Sequence, residues 1–260
     1  MDLVEAKARG FRASSRHPWE RARLALATRL IASHVPLRRG DVVLDIGCGD
    51  SFVVESLAKQ YPDVSFYAVD SAFTPELIAM FEQRLTVPNV SLFSSLDAVP
   101  SNSVVSLVLL MDVLEHVEDD HALLRDVTAH GCVTSHTRWL ITVPAYAGLF
   151  CSHDRFLGHY RRYSRSEFQA LMAESRLASI VSGHFFASLV PVRLVQVIGE
   201  RLSRPPEHAP TGLATWQGGE WLARQLAAVL EWDGRVSLAL LHLGISIPGL
   251  SNFAICRTSV

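Results

Sequence analysis

The sequence is poor in cysteine and nearly neutral in charge, and each shortage excludes a class of protein. Its 260 residues include 24 basic and 26 acidic side chains, a net charge of −2, which does not favour nucleic acid as a partner. The four cysteines form no C-x-x-C pair and have no zinc-ligand spacing. We therefore expect no disulfide framework and no bound metal, and we expect the reducing environment of the cytoplasm.

Long hydrophobic runs are also missing. Residues 1–23 are charged throughout and lack the apolar stretch of a secretion signal. The apolar stretches within residues 188–249 are interrupted by charged side chains too often to span a bilayer. We therefore expect a cytoplasmic protein without a transmembrane segment. The 49% hydrophobic content is nevertheless enough to bury one large core.

Glycine is present where a ligand-binding turn would need it. The run D-V-V-L-D-I-G-C-G-D-S at 41–51 begins as an apolar strand, passes through Asp45, and then holds Gly47 and Gly49. Glycine permits positive φ angles and lets a ligand approach the backbone. A dinucleotide-binding turn needs a third glycine where this chain has Phe52. Asp45 instead suits a ligand that carries positive charge.

Strand and helix patterns alternate along the chain on both sides of this turn. Apolar runs predict strands at 42–44, 64–70, 89–95, 104–110, 139–145, 177–186 and 252–258. Between them, helical patterns occur at 52–58, 75–85, 119–130 and 164–175, and a further amphipathic helix at 18–37 precedes the first strand. This alternation predicts a doubly wound parallel sheet. The first helix is predicted to cover one edge of the sheet or to act as a lid over the ligand.

Acidic side chains follow the ends of two other predicted strands. Asp70 lies 25 positions after Asp45, close to the offset at which an acid meets a ribose in such units. One carboxylate can accept hydrogen bonds from two vicinal hydroxyls, although a solvated strand-end aspartate is the simpler alternative. Met111 and Asp112 should face the same ligand, because ligands bind at the carboxyl ends of strands in open α/β sheets.

Three motifs together resemble the class I S-adenosylmethionine-dependent methyltransferases. The glycine turn is similar to their first motif, D-x-G-x-G, and V-L-E-H-V at 113–117 resembles the fourth motif of the type 11 and type 23 families. The string H-D-x-x-x-G-H-x-R-R-Y at 153–163 resembles a loop of a type 23-like bacterial group associated with glycans or lipid-linked intermediates. The resemblance covers residues 16–187 and a final strand within 245–258. It implies a seven-stranded Rossmann-like sheet whose last strand is antiparallel, with a helical insertion between strands six and seven.

The resemblance implies S-adenosylmethionine as the cofactor, held by the glycine turn and the neighbouring strand ends. The residues carried over to this role are Asp45, Gly47, Cys48, Gly49, Asp70, Ser71, Ser95, Leu96, Met111 and Asp112. Ser95 falls where the family often has an adenine-capping aspartate and Asp97 follows two positions later, so the adenine contact stays open between them. Ser51 replaces a further glycine of many members, and we expect ordinary backbone angles there.

Substrate chemistry is predicted for the polar stretch 146–164, because loops after strand ends collect binding groups. A hydroxyl acceptor would benefit from a base, and the candidates are His153 and His159, with Asp154 to orient an imidazole, and His116 of the V-L-E-H-V run. The residues predicted to bind the acceptor are Tyr160, Arg161, Arg162 and Tyr163, where arginine suits an anionic group. Three alternatives stay open. The arginines could form a solvated face, and His159 could tie the loop to the sheet. His153, Asp154 and His159 could instead form a metal site.

The predicted organisation has three parts. Residues 1–38 form a helical cap, 39–187 with 250–260 form the cofactor-binding domain, and 188–249 form a helical insertion with a proline-rich linker at 205–210. The insertion would cover the active site, form a homodimer, or contact a membrane surface. The expected function is O-methylation of a small-molecule, sugar or lipid-linked acceptor. N-methylation and non-catalytic binding of the cofactor or its demethylated product are the alternatives.

Overall fold

The computed structural model describes residues 16–203 and 219–259, and its centre is a single mixed sheet. The strands are β1 Val42–Ile46, β2 Ser65–Val69, β3 Val90–Phe93, β4 Leu107–Met111, β5 Arg138–Pro144, β6 Leu177–Phe185 and β7 Ser251–Thr258. Their order across the sheet is β3-β2-β1-β4-β5-β7-β6. The pairs among β1 to β5 are parallel, whereas β7 runs antiparallel to both β5 and β6. The predicted seven-stranded sheet with an antiparallel last strand is confirmed.

Eight α-helices accompany the sheet in the described part of the chain. They are α1 Pro18–His34, α2 Phe52–Gln60, α3 Pro75–Arg84, α4 Asp120–Ala129, α5 Ser152–Phe156, α6 Arg165–Glu174, α7 Leu189–Ser203 and α8 Glu220–His242. Local signals set several starts: a proline opens the first turn of α1 and of α3. A capping box formed by Ser164 and Glu167 opens α6.

The sheet separates two apolar layers. One layer joins side chains of α1, α2 and α8 to alternate residues of the strands, among them Leu26, Val54 and Phe66. The other layer joins side chains of α4 and α6 to the strand residues that point to the opposite face of the sheet. It includes Leu44, Leu124 and Trp139. Because both faces are covered, the central strands are almost continuously apolar, as in β4.

Helices α7 and α8 form the insertion between β6 and β7, which confirms its predicted position. Helix α8 packs along α1, where Gly234 lies so close to Leu26 that no Cβ would fit. Arg21 of α1 also forms an ion pair with Glu220 at 2.8 Å. The proline-rich linker at 205–210 and most of the N-terminal segment lie outside the described residues, so the predicted domain boundaries stay predictions.

The insertion exposes several large apolar side chains. On α7 these are Val192, Leu194, Val195, Ile198 and Leu202, and on α8 they include Trp221, Val229 and Trp232. None of the described helices is both long and apolar enough to cross a membrane. The exposed residues lie on the two helices for which the sequence predicts a covering or membrane-contacting role.

Candidate functional site

The glycine turn is held in place by the end of the neighbouring strand β2. The amides of Gly47 and Cys48 both donate to the carbonyl oxygen of Val69, at 2.8 and 3.1 Å. The amide of Gly49 donates to Oδ2 of Asp70 at 2.9 Å. Both glycines have positive φ angles, +69° and +57°. The two acids and the two glycines singled out in the sequence therefore belong to one turn at the carboxyl edge of the sheet.

Ser51 differs from the sequence-based expectation. Its φ is +63°, in the left-handed region, so the expectation of ordinary backbone angles was wrong. As the chain turns from β1 into α2, every second residue has a left-handed backbone conformation: Gly47, Gly49 and Ser51. Position 51 therefore has a conformation typical of glycine although its residue is serine. Such a conformation costs a non-glycine residue roughly 1 kcal/mol or more. Gly47 is also required sterically, because a Cβ there would lie 2.6 Å from Cγ2 of Val113.

Asp45, at the carboxyl end of β1, is a buried carboxyl with no hydrogen bond to any other described residue. The residue is only 3% exposed to solvent. Burial raises the pKa of Asp45 to about 7; Arg23 opposes the increase and Asp70 adds to it. A buried carboxylate without a partner is costly, so a cationic ligand group beside it would be strongly favoured. This arrangement fits the sulfonium and ammonium charges of S-adenosylmethionine.

Asp70 follows β2, and its two oxygens accept from the amides of Gly49 at 2.9 Å and Ala72 at 3.0 Å. Ser71 lies exposed beside it. The ribose contact of Asp70 stays a prediction. At the end of β3, Ser95 and Asp97 are both exposed, with Leu96 between them, so both remain predictions for the adenine contact.

The end of β4 carries an ion pair that the sequence reasoning missed. Met111 is buried, and the next residue, Asp112, has a φ of +58°. The Asp112 carboxylate accepts from Oγ1 of Thr142 at 2.8 Å and pairs with the guanidinium of Arg23, which lies 4.5 Å above the ring of Trp19. The signal was available, because Arg23 occupies the buried stripe of an amphipathic helix.

A second arginine at the start of the described chain lies over the same turn. Nη1 of Arg16 is 2.5 Å from Oδ2 of Asp50, and its guanidinium lies 4.2 Å from the centre of the Phe52 ring. Arg16, two residues before α1, therefore lies against the residues that end the glycine turn. This placement is the one expected of the lid interpretation of the N-terminal helix.

The polar stretch 146–164 is organised around Asp154, which is fully buried in α5. Its Oδ1 accepts from Nε of Arg162 at 2.8 Å and lies 3.1 Å from Nδ1 of His159, while its Oδ2 accepts from the amide of Cys151 at 2.9 Å. Burial alone would raise the pKa of Asp154, but His159, Arg162 and Arg193 hold it well below its usual range. The carboxylate is therefore charged, and it orients His159 as the sequence predicts.

The V-L-E-H-V run and the polar stretch come together. The amide of Tyr160 donates to the carbonyl oxygen of Glu115 at 2.7 Å, and the rings of His116 and His159 meet edge to face with their centres 4.6 Å apart. Glu115 is only 1% exposed, and burial, with Asp112 adding, raises the pKa of its carboxyl well above the usual value. Sequence reasoning quoted this glutamate without assigning it a role.

Three of the four residues predicted to bind the acceptor use polar side-chain groups in hydrogen bonds or ion pairs within the chain. Arg162 is buried against Asp154 and also donates to the carbonyl oxygen of Ala145 at 3.1 Å. The hydroxyl of Tyr163 donates to Asp120 at 2.7 Å, and Nη1 of Arg161 lies 3.1 Å from the same carboxylate. The fourth, Tyr160, is exposed. Their binding roles stay predictions, and the contacts show that they also fix the shape of this stretch.

The insertion reaches this stretch through two charged side chains of α7. Oε1 and Oε2 of Glu200 accept from the hydroxyl and the amide of Ser152 at 2.5 and 2.8 Å. Nη1 of Arg193 lies 3.8 Å from Oδ2 of Asp154 and donates to Sγ of Cys151 at 2.6 Å. Of the uses predicted for the insertion, covering the polar stretch is therefore visible in α7.

Comparison with known proteins bears on this edge of the sheet. The model of the type 23 methyltransferase family, described as a methyltransferase domain, matches residues 16–180. The chain belongs to this family. The match spans the glycine turn, the V-L-E-H-V run and the whole polar stretch, so every candidate site residue of this methyltransferase lies within it. No curated protein matches the sequence.

Solved structures show the same fold at low sequence identity. A chain from the complex of a Haloferax volcanii methyltransferase with the Trm112 activator has 15% identity and a TM-score of 0.57, covering 99% of this chain and 95% of that one. Coclaurine N-methyltransferase bound to N-methylheliamine and SAH has 14% identity and a TM-score of 0.54, covering 90% and 70%. The [4+2]-cyclase SpnF has 16% identity and a TM-score of 0.54, covering 92% and 82%. Because the fold hosts these different activities, the site must decide the reaction.

S-adenosylmethionine is the cofactor of this methyltransferase, and Asp70 provides a direct test of how it is held. We expect Asp70→Ala to weaken binding of S-adenosylmethionine roughly 10- to 100-fold, because two hydrogen bonds to a charged acceptor are lost. Asp70→Asn, which keeps an acceptor for the Gly49 amide, should lose less. Calorimetric titration measures both, with the exposed Asp63→Asn as the matched control. Unchanged affinity in folded Asp70→Ala would contradict the ribose role.

Proposed function

We propose that this protein transfers a methyl group from S-adenosylmethionine to an oxygen atom of a small-molecule, sugar or lipid-linked acceptor. The observation that carries the proposal is the pairing of His159 with the buried Asp154, at 3.1 Å, beside the turn that follows β4. A methyl acceptor bound at this edge would meet the imidazole and the cofactor turn on the same side of the sheet.

The geometry of the pair suits general base catalysis. The charged carboxylate of Asp154 stabilises a proton on Nδ1 of His159, which leaves the lone pair on Nε2. A base in this position removes the proton of an acceptor hydroxyl and contributes about 10²- to 10⁴-fold to the rate. Bound at the glycine turn, the cofactor supplies a methyl group that is already activated by the sulfonium charge. A nitrogen acceptor that is neutral needs less help of this kind, so the oriented imidazole favours oxygen.

His153 is the weaker of the two candidates on the polar stretch. Burial lowers the pKa of His153 to about 4, and Arg193 adds to the decrease. A base is most effective when its pKa lies near the working pH. The imidazole of His153 is therefore neutral but weakly basic, and we assign the base role to His159.

The surroundings also bear on the acceptor. The guanidinium groups of Arg161 and Arg162 are paired with Asp120 and Asp154, which reduces their capacity for an anionic acceptor. The insertion, in contrast, exposes apolar side chains on α7 and α8, and α7 contacts the polar stretch through Glu200 and Arg193. These features support an acceptor with a large apolar part, such as a lipid-linked molecule, presented to a protein that meets the membrane at its surface.

The proposed reaction is tested by supplying isotopically labelled cofactor together with hydroxyl acceptors, free and lipid-linked, and locating the label by mass spectrometry. We expect the label on oxygen, and we expect His159→Ala to lower kcat by about 100-fold while the affinity for S-adenosylmethionine stays unchanged. His153→Ala is the matched control and should lose less than His159→Ala.

Three results would contradict this proposal. Label on nitrogen would make the protein an N-methyltransferase. Full activity in His159→Ala would remove the assigned base. Tight binding of S-adenosylmethionine and S-adenosylhomocysteine without any labelled product would favour a non-catalytic binding protein.

A further inference from the structure

Three side chains of metal-ligand type converge where the V-L-E-H-V run meets the polar stretch. Glu115, His116 and His159 each offer one ligand atom, and these atoms all lie within 4.8 Å of one another. The first two belong to the single helical turn Leu114–His116 after β4, and the third follows α5. Two imidazoles with one carboxylate form a set that first-row divalent metals bind.

One oxygen of this carboxyl group lacks a hydrogen-bond partner among the described residues. Oε2 of Glu115 is buried and makes no hydrogen bond to any described residue, although the residue is only 1% exposed. Buried polar atoms in folded proteins are almost always satisfied, so an exception requires an explanation. A bound cation beside Oε2 would provide the missing partner.

The two arginines near Glu115 form ion pairs with other carboxylates. Arg23 forms its ion pair with Asp112, and Arg162 forms its ion pair with Asp154. Both arginines are close enough to influence Glu115 electrostatically, but neither forms an ion pair with it in the described part of the chain. The counter-charge for this carboxylate is therefore the element that a metal ion would add.

His159 is oriented as a metal ligand would be. Its Nδ1 lies 3.1 Å from Oδ1 of Asp154. The rings of His159 and His116 are perpendicular, and their centres are 4.6 Å apart. In metal sites, ligating histidines commonly donate their second ring nitrogen to a carboxylate, which fixes the tautomer and the ring orientation. Asp154 occupies that position, and Arg162 holds it in turn.

We propose that Glu115, His116 and His159 bind one divalent transition-metal cation, such as Zn²⁺, Mn²⁺ or Fe²⁺. Three protein ligands leave coordination positions open, which is typical of catalytic rather than structural sites. The sequence-based expectation of no metal considered His153, Asp154 and His159 as a set. In the structure Asp154 instead supports His159 from behind, and the carboxylate ligand comes from Glu115.

A role for the cation rests on the proposed O-methylation. An acceptor hydroxyl bound at an open position would lose its proton to water at a lower pH than in solution, because a divalent cation stabilises the oxyanion. His159 would then act as a ligand rather than as the base. Acceptors with two adjacent oxygen donors, such as a vicinal diol or a hydroxy acid, would be preferred because they chelate.

The binding test uses the full chain, stripped of metal with a chelator and titrated calorimetrically with Zn²⁺, with Co²⁺ absorption as a second readout. We expect one site with a dissociation constant of about 1 μM or lower. Glu115→Gln and His159→Gln should each weaken binding by about 100-fold. The half-exposed His121→Gln of α4 is the matched control and should leave the affinity unchanged. Urea unfolding verifies that each variant is folded, and Zn²⁺ should raise the midpoint of the native protein and of His121→Gln more than that of the two ligand variants.

Absence of a high-affinity site in the native protein, or native affinity in both Glu115→Gln and His159→Gln, would overturn the metal proposal. The two proposals fail separately. Metal binding without methyl transfer to any hydroxyl acceptor would count against O-methylation and leave the metal site standing. Methyl transfer to oxygen that is unaffected by the chelator, in a protein that binds no Zn²⁺, would do the reverse.

Discussion

Asp154→Asn is expected to lower the free energy of unfolding by about 3–5 kcal/mol, the usual loss when one partner of a buried ion pair is removed. The carboxylate is fully buried, and Nη2 of Arg162 lies 2.7 Å from it, with Nδ1 of His159 at 3.1 Å. Asparagine keeps the shape and an acceptor for the Cys151 amide. The loss therefore comes from leaving the buried guanidinium of Arg162 without a counter-charge.

Urea unfolding measures this loss as a lower midpoint at an unchanged slope. Asp126→Asn on the exposed side of α4 is the matched control and should change stability by no more than about 0.5 kcal/mol. The double variant Asp154→Asn with Arg162→Met should recover part of the stability, because it removes the uncompensated charge as well. A loss below about 1 kcal/mol in Asp154→Asn, or no recovery in the double variant, would contradict the interpretation of Asp154 as the centre of the polar stretch.

The parts of the protein that the sequence predicts are those with a local signal. Alternating apolar runs and glycines predicted the sheet. The spacing from Asp45 to Asp70 predicted an acid beside a ribose, and in the structure Asp70 accepts a hydrogen bond from Gly49 of the glycine turn. The sequence predicted that Asp154 could orient an imidazole of His153 or His159, and in the structure Asp154 lies 3.1 Å from His159. The expectation of ordinary backbone angles at Ser51 was wrong, because its left-handed conformation is imposed by the path of the turn rather than by the residue itself.

The parts that the sequence did not predict depend on contacts between distant segments. Arg23 meets Asp112 across 89 positions of sequence, and Glu200 meets Ser152 across 48. The position of Glu115 beside His159 depends on the loop folding back onto the turn after β4. Arg23 and Glu115 are charged and buried, a combination that composition and periodicity do not distinguish from a solvated face.

Asp45→Asn is expected to have two opposite effects. It should raise the free energy of unfolding of the cofactor-free protein, and it should weaken cofactor binding. The pKa of Asp45 is raised by burial from its ordinary value of 3.8 to about 7 in the folded chain. Between these values the folded protein keeps a proton that the unfolded chain releases, so stability falls as the pH rises from 4 to 7 and stays low above 7. Asparagine removes this penalty. At pH 8 the variant should be more stable by roughly 2–4 kcal/mol, and at pH 4 it should match the native protein.

Cofactor binding should respond in the other direction, because the ionised carboxylate is the form that attracts a cation. In the native protein the affinity for S-adenosylmethionine should rise between about pH 6 and about pH 7.5, as Asp45 loses its proton. Asp45→Asn should bind about 100-fold more weakly at pH 7.5 and lose most of this pH dependence. Calorimetric titration and urea unfolding at each pH measure the two effects, with the exposed Asp63→Asn as the control that changes neither. A variant that is destabilised at pH 8, or that binds S-adenosylmethionine as tightly as the native protein, would show that Asp45 has a structural partner rather than a cationic ligand.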